Sequence, residues 1–406
     1  MIDNGRRFFA CSSMHYLLPI IAMANFAAGL STRAMDPVLP QVSAQLLVSI
    51  PAVATLASAT AISFAFIQLP LGAIADLFGK PRLILTCLVI LGLANIAGAF
   101  ATSFEWLLVS RIVCGIGAGG VFPVAMGLVG DIFGIDKRQV AMSRILAGAT
   151  AGNLLGATYA GVLGDFAGWR GVLSSIGIVV LLASIAVAWG FRSQMASKGK
   201  AVDIAVIAGN YRRILKHPYA RICYGGVFIE GICVMGLFPF IAAFLQELGE
   251  PRLSIAGLVI AGFALGGLLY AASVARLLPI FKERGLIALG GAIAASQIVV
   301  IAFGPSWPAQ FASCMVMGWG FFLIHGSFQV LISEIAPEAR AGALSLQAFC
   351  FFCGQFTGPL IYGLGLLYAG KIPTLFAAAA LLLVIGPICS WLLGQYSSKS
   401  GSKTTN

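Results

Sequence analysis

The chain contains twelve apolar stretches, each about as long as a helix needs to cross a lipid bilayer, roughly 20 residues. A helix satisfies its backbone hydrogen bonds within one segment, whereas a membrane barrel needs short strands that alternate in polarity. The sequence lacks that alternation, so it predicts an all-α membrane protein with twelve transmembrane helices. The predicted spans are 15–40, 50–71, 83–101, 105–129, 140–164, 170–191, 219–246, 253–279, 285–303, 307–333, 341–369 and 373–395.

The composition and the placement of charge fit a membrane environment. Hydrophobic residues make up 59% of the chain and charged residues only 10%, whereas a soluble domain carries about a quarter charged residues. Arg170, Arg252 and Lys371 lie on one side of the predicted bundle, Arg33 and Arg111 lie inside spans, and the other Lys and Arg residues share the side of the N-terminus. The positive-inside rule then predicts that both termini are cytoplasmic. The net charge of +11 therefore reports topology, and we predict no nucleic-acid partner.

The second half of the chain repeats the first at an offset of about 203 residues. Aligned pairs are Gly115 with Gly318, Gly117 with Gly320, Asp131 with Glu334 and, after a slip of one residue, Gly152 with Gly354, Asn153 with Gln355 and Pro37 with Pro239. Two similarly oriented six-helix halves are typical of secondary transporters. The predicted division is an N-terminal bundle at 1–191, a cytoplasmic linker at 192–218, a C-terminal bundle at 219–396 and a disordered cytoplasmic tail at 397–406.

A charged, glycine-punctuated turn separates the second and third spans and reads GAIADLFGKPR over residues 72–82. This turn resembles the signature of the major facilitator superfamily, although Leu77 and Pro81 stand where that family usually has basic residues. The matching positions are Gly72, Asp76, Gly79 and Lys80, and the turn ends at Arg82.

Two further spans extend the resemblance over essentially the whole chain. The fourth span matches a second pattern of the superfamily at Leu107, Arg111, Gly115 and Gly117. The fifth span resembles the antiporter pattern in part, at Gly148, Gly152 and Gly156, but Asn153 replaces its proline and Ala157 replaces a glycine.

The resemblance implies a carrier whose cavity between the two halves opens alternately to each side of the membrane. In such proteins the signature aspartate and nearby cations help to close the cytoplasmic side in one of two states. Here that role falls to Asp76, and Gly72 would let neighbouring helices approach closely. The alternative is that Asp76 is only a charge at a helix end near the membrane surface.

Four charged residues lie inside the spans, and such residues usually face the interior of the bundle. Glu230 lies near the middle of the seventh span and is the first candidate for the coupled proton, with Asp36 second. Arg111 resembles the fourth-span arginine of the family, so we expect it to modulate that protonation or to contact substrate. Arg33 is a candidate cavity residue, but it lies three residues before Asp36, and mutual neutralisation is the alternative for this pair.

Uncharged polar residues in later spans are candidate cavity residues. His325 and Gln329 are four residues apart and share a face of the tenth span. Asn153 and Gln355 occupy corresponding positions of the repeat and are expected to line the cavity symmetrically. Hydrogen bonds that hold neighbouring helices together are the alternative role for all four residues.

These features predict a proton-coupled carrier of a bacterial inner membrane that exports an amphipathic drug or metabolite and acts as a monomer. Its partners would be the small-molecule substrate, protons and the bilayer. Proton-linked uptake of a small organic solute is the alternative mechanism, and a polytopic receptor or membrane enzyme is the alternative from another class. The sequence contains neither a P-loop lysine pattern nor a metal-ligand cluster, so we predict no cofactor, no metal and no catalytic site.

Overall fold

The computed structural model describes the backbone of residues 3–133, 135–192, 195, 204–335 and 339–401. It describes their side chains except at 3–16, 135–137, 139, 204–208, 210, 341 and 395–401. These residues form helices and no strands. The helices are α1 Asp3–Thr32, α2 Leu39–Leu46, α3 Ile50–Gln68, α4 Leu71–Phe78, α5 Lys80–Ala99, α6 Phe104–Ile132, α7 Ile135–Gly190, α8 Ile204–Lys216, α9 Pro218–Cys233, α10 Phe238–Glu247, α11 Leu253–Ala302, α12 Trp307–Ile335, α13 Arg340–Tyr368 and α14 Lys371–Gly401.

Ten helical segments of the described chain are long and apolar enough to cross a membrane, and two of them cross twice. The apolar parts of α7 and α11 contain 51 and 50 residues, which would extend about 75 Å as one straight helix against a hydrocarbon core of about 30 Å. Each is interrupted by one residue with positive φ, Gly168 at 66° and Lys282 at 52°. The structure therefore confirms the predicted all-α fold with twelve transmembrane helices.

The even number of crossings places both ends of the chain on the same side of the bundle. We call that side the terminal face; it includes the turns at Gly79 and Lys282. The opposite side, which includes the turn at Gly168 and the segment 248–252, is the distal face.

Gly79 adopts a φ of 83° between α4 and α5, a conformation that favours glycine and allows the sharp turn predicted from the 72–82 motif.

The first membrane helix of each half is broken at corresponding positions. Short 3-10 turns, η1 at Asp36–Val38 and η2 at Met235–Leu237, separate α1 from α2 and α9 from α10. Pro37 and Pro239 lie at these breaks, where a residue without a backbone N–H cannot continue the hydrogen-bond ladder. Tyr362 donates a hydrogen bond of 2.7 Å to the Cys233 carbonyl, which satisfies one acceptor near the second break.

The repeat seen in the sequence is also a repeat of helix contacts. Gly152 packs on the Phe26 carbonyl oxygen so closely that a Cβ atom would overlap it. Gly354 packs in the same way on the carbonyl oxygen of Phe228. Both partners of this contact shift by the same 202 residues, so the two halves share their backbone packing as well as their hydropathy.

The predicted glycine pairs of the fourth and tenth spans follow the same rule. Gly115 lies against the carbonyl of Thr60, and its counterpart Gly318 lies against the carbonyl of Phe263, each 203 residues further on. Buried apolar side chains accordingly form two clusters, one almost entirely from residues 17–191 and the other almost entirely from residues 214–393. The structure thus has two pseudo-symmetric bundles, while the domain boundaries given above stay predictions.

The structure differs from the sequence prediction at the end of the chain. Residues 397–401 continue α14 as helix, where a disordered tail was predicted, because neither proline nor glycine ends the helix between Tyr396 and Ser400. Residues 402–406 of that tail lie outside the described residues. The predicted linker contains α8, whose Tyr211 hydroxyl donates a hydrogen bond of 2.9 Å to the Leu69 carbonyl of the N-terminal half.

Replacing Gly152 with alanine tests whether backbone contact holds α7 against α1. The new methyl group would overlap the Phe26 carbonyl, so we expect the free energy of unfolding to fall by about 1–3 kcal/mol. The measurement is the melting temperature of the purified protein in detergent. Gly225→Ala in α9 is the matched control, because its Cβ atom would meet nothing within 4 Å. Equal melting temperatures for the two variants would contradict the packing argument.

Candidate functional site

A partly open cavity lies between the two halves, close to the break in the first helix. Its walls come from the end of α1 and from η1, α3, α5 and α6 of the N-terminal half and from α13 of the C-terminal half. Four of the residues singled out in the sequence line this cavity: Arg33, Asp36, Arg111 and Gln355. Residues from distant parts of the sequence are therefore brought together at one place.

Arg111 on α6 is 2% exposed and is held by neutral groups. Its Nη1 donates to the Asn95 side-chain oxygen at 3.3 Å, its Nη2 to the Ala94 carbonyl at 3.5 Å and its Nε to the Ser110 hydroxyl at 3.3 Å. Asn95 in turn donates to the Ser31 hydroxyl at 3.0 Å. No carboxylate in the described part of the chain forms an ion pair with Arg111, so its positive charge is uncompensated.

Arg33 and Asp36 form the only ion pair of this cavity among the described residues. Arg33 Nη1 lies 3.4 Å from Asp36 Oδ2, at the outer limit of a hydrogen bond. The guanidinium also contacts the sulfur of Met235 and lies 4.7 Å from the ring centre of Phe238. Met235 is the residue 202 positions after Arg33, so the two repeat equivalents meet near the axis that relates the halves.

Glu230 on α9 is fully buried and lies against His325 on α12, a contact that the sequence did not predict. His325 Nδ1 is 3.3 Å from Glu230 Oε1, within ion-pair distance when the imidazole is protonated. Within the described structure, neither carboxyl oxygen of Glu230 has another hydrogen-bond partner. A carboxyl group and an imidazole are therefore buried against each other with no other polar partner for the carboxyl group among the described residues.

Aromatic rings connect the pair of Glu230 and His325 to the cavity. His325 stacks on Phe321 with ring centres 5.3 Å apart and meets Phe351 edge-on at 5.0 Å. Phe351 contacts Phe352, and the Phe352 ring centre is 3.9 Å from that of Phe64. Phe64 and Phe352 both line the cavity, so two phenylalanines of α13 separate the pair from the cavity wall.

Three predicted cavity residues are not part of this lining. Asn153 on α7 and Gln329 on α12 have exposed side chains, and His325 lies against Glu230. Gln355, the repeat equivalent of Asn153, lines the cavity. His325, which shares a helix face with Gln329, contacts Glu230. Spacing along the chain could not distinguish these orientations, because small rotations of a helix decide which side chains reach the interior.

The residues of the 72–82 motif lie on the terminal face. A Cβ atom at Gly72 would meet nothing within 4 Å, and Asp76 is exposed without a hydrogen bond or ion pair to any residue that the structure describes. Lys80 instead pairs with Asp131 of the same half, Nζ to Oδ2, at 2.5 Å. Arg82 is exposed. Among the described residues, no hydrogen bond or ion pair joins the motif to the C-terminal half.

The halves are in direct contact on the distal face. Asp165 on α7 accepts hydrogen bonds from the backbone N–H groups of Leu253 and Ser254, at 2.8 and 3.0 Å, and so caps the N-terminus of α11 across the interface. Beside this cap, Gly161 packs on the Leu253 carbonyl and Gly257 packs on the Ala157 carbonyl, both without room for a Cβ atom. Sequence reasoning missed Asp165, because nothing local marks an acidic residue as the cap of a distant helix.

Comparisons with known proteins agree with this geometry. The sequence model of the Major Facilitator Superfamily matches residues 21–359. The multi-drug resistance efflux pump PmrA of Streptococcus pneumoniae is 24% identical over 84% of this chain and 87% of its own. The 3-(3-hydroxy-phenyl)propionate transporter of Escherichia coli is 26% identical over 78% of each chain. The inward-facing, occupied structure of a bacterial homolog of the human lysosomal transporter Spinster superposes with a TM-score of 0.75 at 18% identity, covering 94% of this chain and 97% of its own.

Replacing Asp165 with alanine tests the cap on the distal face. Two N–H groups of α11 would lose their acceptor, so we expect amide hydrogen exchange of the peptide covering 253–256 to become faster by about tenfold. The measurement is hydrogen–deuterium exchange of the full chain followed by mass spectrometry.

Glu250→Ala is the control for that experiment. It removes a carboxylate from the same segment, but one that bonds to Arg252 and not to the first amides of α11. If the two variants exchanged at the same rate, Asp165 would not be holding the halves together.

Proposed function

Because this chain belongs to the Major Facilitator Superfamily it is a transporter rather than an enzyme, and we propose that it exports a small amphipathic organic molecule across a bacterial inner membrane in exchange for protons. The cavity between the halves is the proposed transport site, and the terminal face is the proposed cytoplasmic face. Since the cavity is formed within one chain, we propose that the monomer is the transporting unit.

The contact between Glu230 and His325 is the observation that carries the proton coupling. Glutamate beside histidinium and glutamic acid beside neutral histidine have the same net charge, so a proton can pass between the two groups without a change in total charge. Binding one further proton from either state leaves a net positive charge among apolar and aromatic side chains. Uncompensated charge is costly in such surroundings, and a conformational change that rehydrates the pair relieves that cost.

The aromatic path from His325 to Phe64 supports a link between the proton site and the transport site. Phe351 and Phe352 are neighbours on α13 and contact each other. The Phe351 ring also contacts His325, and the Phe352 ring also contacts Phe64. A rotation of α13 that rehydrates Glu230 would also move Phe352 and Gln355 in the cavity wall. Asp36 is the second proposed proton site, because it lines the cavity itself.

Export is favoured by the relative that is named a multi-drug efflux pump and by the partial antiporter pattern at Gly148, Gly152 and Gly156. Uptake coupled to protons is the second candidate. It is supported by the relative named for 3-(3-hydroxy-phenyl)propionate, an organic acid, together with the uncompensated Arg111 in the cavity. The two candidates differ in the direction in which substrate moves relative to protons.

Replacing Glu230 with glutamine tests proton coupling. Proteoliposomes with an imposed pH difference are supplied with labelled chloramphenicol or 3-phenylpropanoate. We expect wild-type protein to accumulate probe in the acidic compartment, as antiport requires, and Glu230→Gln to reduce that accumulation to the level of protein-free liposomes. Exchange of labelled for unlabelled probe without a gradient should continue, because it needs no net protonation.

Glu334→Gln is the control, since Glu334 is an exposed carboxylate without an ion pair to any described residue. Gradient-driven accumulation by Glu230→Gln at the wild-type rate would contradict the assignment. Accumulation of probe in the alkaline compartment, beyond that of protein-free liposomes, would replace export with uptake.

Replacing Asp76 with asparagine tests its proposed role in closing the terminal face in the alternate state. Asparagine preserves the shape of the side chain and removes its charge, so we expect probe transport to fall about tenfold or more, the effect of about 1.4 kcal/mol on the closed state. Probe binding in detergent should not change, because Asp76 is exposed and remote from the cavity lining. Transport at the wild-type rate would reduce Asp76 to a charge at a helix end.

A further inference from the structure

The charge of the cavity indicates which ligands it favours. Its lining residues include two arginines and one aspartate, and the others are uncharged. Arg33 and Asp36 offset each other across 3.4 Å. Arg111 contacts only neutral acceptors, so the cavity carries one net positive charge. Glu230 and His325 do not compensate it, since neither belongs to the lining.

The guanidinium of Arg111 has donors to spare for a ligand. A guanidinium carries five N–H donors and stays protonated in proteins. Three of them are used by Asn95, Ala94 and Ser110, one from each nitrogen of the group. Among the described residues, the two remaining N–H groups, one on Nη1 and one on Nη2, have the Cys114 sulfur as their further neighbour, a weak acceptor that also lines the cavity. Two N–H groups on neighbouring nitrogens can bind both oxygens of a carboxylate.

The cavity also offers apolar surface beside this charge. Phe64 and Phe352 form one wall, and Ala57, Ala61 and Ala118 leave space between the helices. A ligand with an apolar body and one negative charge would satisfy both parts of the cavity. A polyanion would need more cations than the lining provides, and an organic cation would meet a carboxylate that Arg33 already occupies.

On these grounds we propose that the cavity selects small organic monoanions, with a carboxylate at Arg111 and an aromatic or aliphatic body against Phe64 and Phe352. This inference rests on the proposed function, since it takes the cavity to be the transport site. It narrows the substrate from an amphipathic molecule to an amphipathic weak acid in its ionised form.

Binding of three probes of the same size tests this selectivity. They are 3-phenylpropanoate, 3-phenylpropanamide and 3-phenylpropylamine, which carry a negative, no and a positive charge at neutral pH. Their affinities for the full-length protein in detergent are measured by calorimetry. We expect the carboxylate to bind about tenfold or more tightly than the amide, and the amine to bind most weakly. An amide or amine that binds as tightly as the carboxylate overturns the proposal, as does a carboxylate that fails to bind at millimolar concentration.

Charge variants of the cavity provide the second measurement. Arg111→Gln should bring the affinities for carboxylate and amide together, whereas Arg111→Lys should keep a preference for the carboxylate. Asp36→Asn should increase that preference, because it leaves two uncompensated positive charges in the lining. A preference that does not change in Arg111→Gln overturns the role of Arg111. If that variant does not fold, an unchanged or smaller preference in Asp36→Asn overturns the charge argument independently.

The binding experiment is separate from the test of proton coupling. It uses no pH gradient and no membrane, so a failure of Glu230→Gln to abolish gradient-driven transport would leave its outcome unaffected. Conversely, equal binding of all three probes would refute anion selectivity while proton-coupled transport of neutral chloramphenicol could still be observed.

Discussion

Close contact between helix backbones is the interaction on which the rest of this structure depends. In lipid, burying an apolar side chain against another helix gains little, because the alternative surroundings are equally apolar, so helices associate where small residues let their backbones meet. Gly152 against the Phe26 carbonyl is such a contact, and Gly354 against the Phe228 carbonyl repeats it in the other half. These contacts hold the fifth and eleventh membrane helices against the two broken helices. The breaks themselves expose Arg33 and Asp36 to the cavity, so the position of the site follows from glycine packing at some distance from it.

The two halves share their packing but not their chemistry. Each charged residue of the cavity has an uncharged equivalent in the other half: Arg33 corresponds to Met235, Asp36 to Phe238 and Arg111 to Cys314. Glu230 and His325 of the C-terminal half correspond likewise to Ala28 and Phe122 of the N-terminal half. A symmetric scaffold therefore carries the ligand-facing charge mostly on one half and the proposed proton site on the other. This division suits coupling, because relative movement of the halves changes the surroundings of both sites at once.

Features set by local pattern could be predicted from the sequence, while features set by the rotation of helices could not. Twelve spans, the repeat and the sharp turn at Gly79 follow from hydropathy and from residue types that act on their own backbone. The charged residues inside spans were also predictable, because lipid leaves them few places to go. The partners of those residues were not. His325 meets Glu230 from a helix about 95 residues away, and Asn95, which holds Arg111, carries no local signal of that role. Asn153 and Gln329 lie outside the cavity for the same reason, since spacing alone does not fix which way a transmembrane helix faces.

The contacts between the halves also bear on how easily the protein changes state. On the distal face Asp165 caps α11, a hydrogen-bonded interaction that contributes about 1–2 kcal/mol, while on the terminal face Asp76 has no partner among the described residues. Two states that differ by about 2.7 kcal/mol are populated in a ratio of about 99 to 1, so losing one such cap shifts the balance without unfolding either bundle. In the proposed function, a ligand that compensates the charge of Arg111 or a proton taken up beside Glu230 would act on the same energy scale. Glycine contacts hold each bundle together, and on the distal face the contacts of Gly161 and Gly257 join the Asp165 cap in holding the bundles against each other. Opening of this face therefore requires both the cap and these glycine contacts to separate.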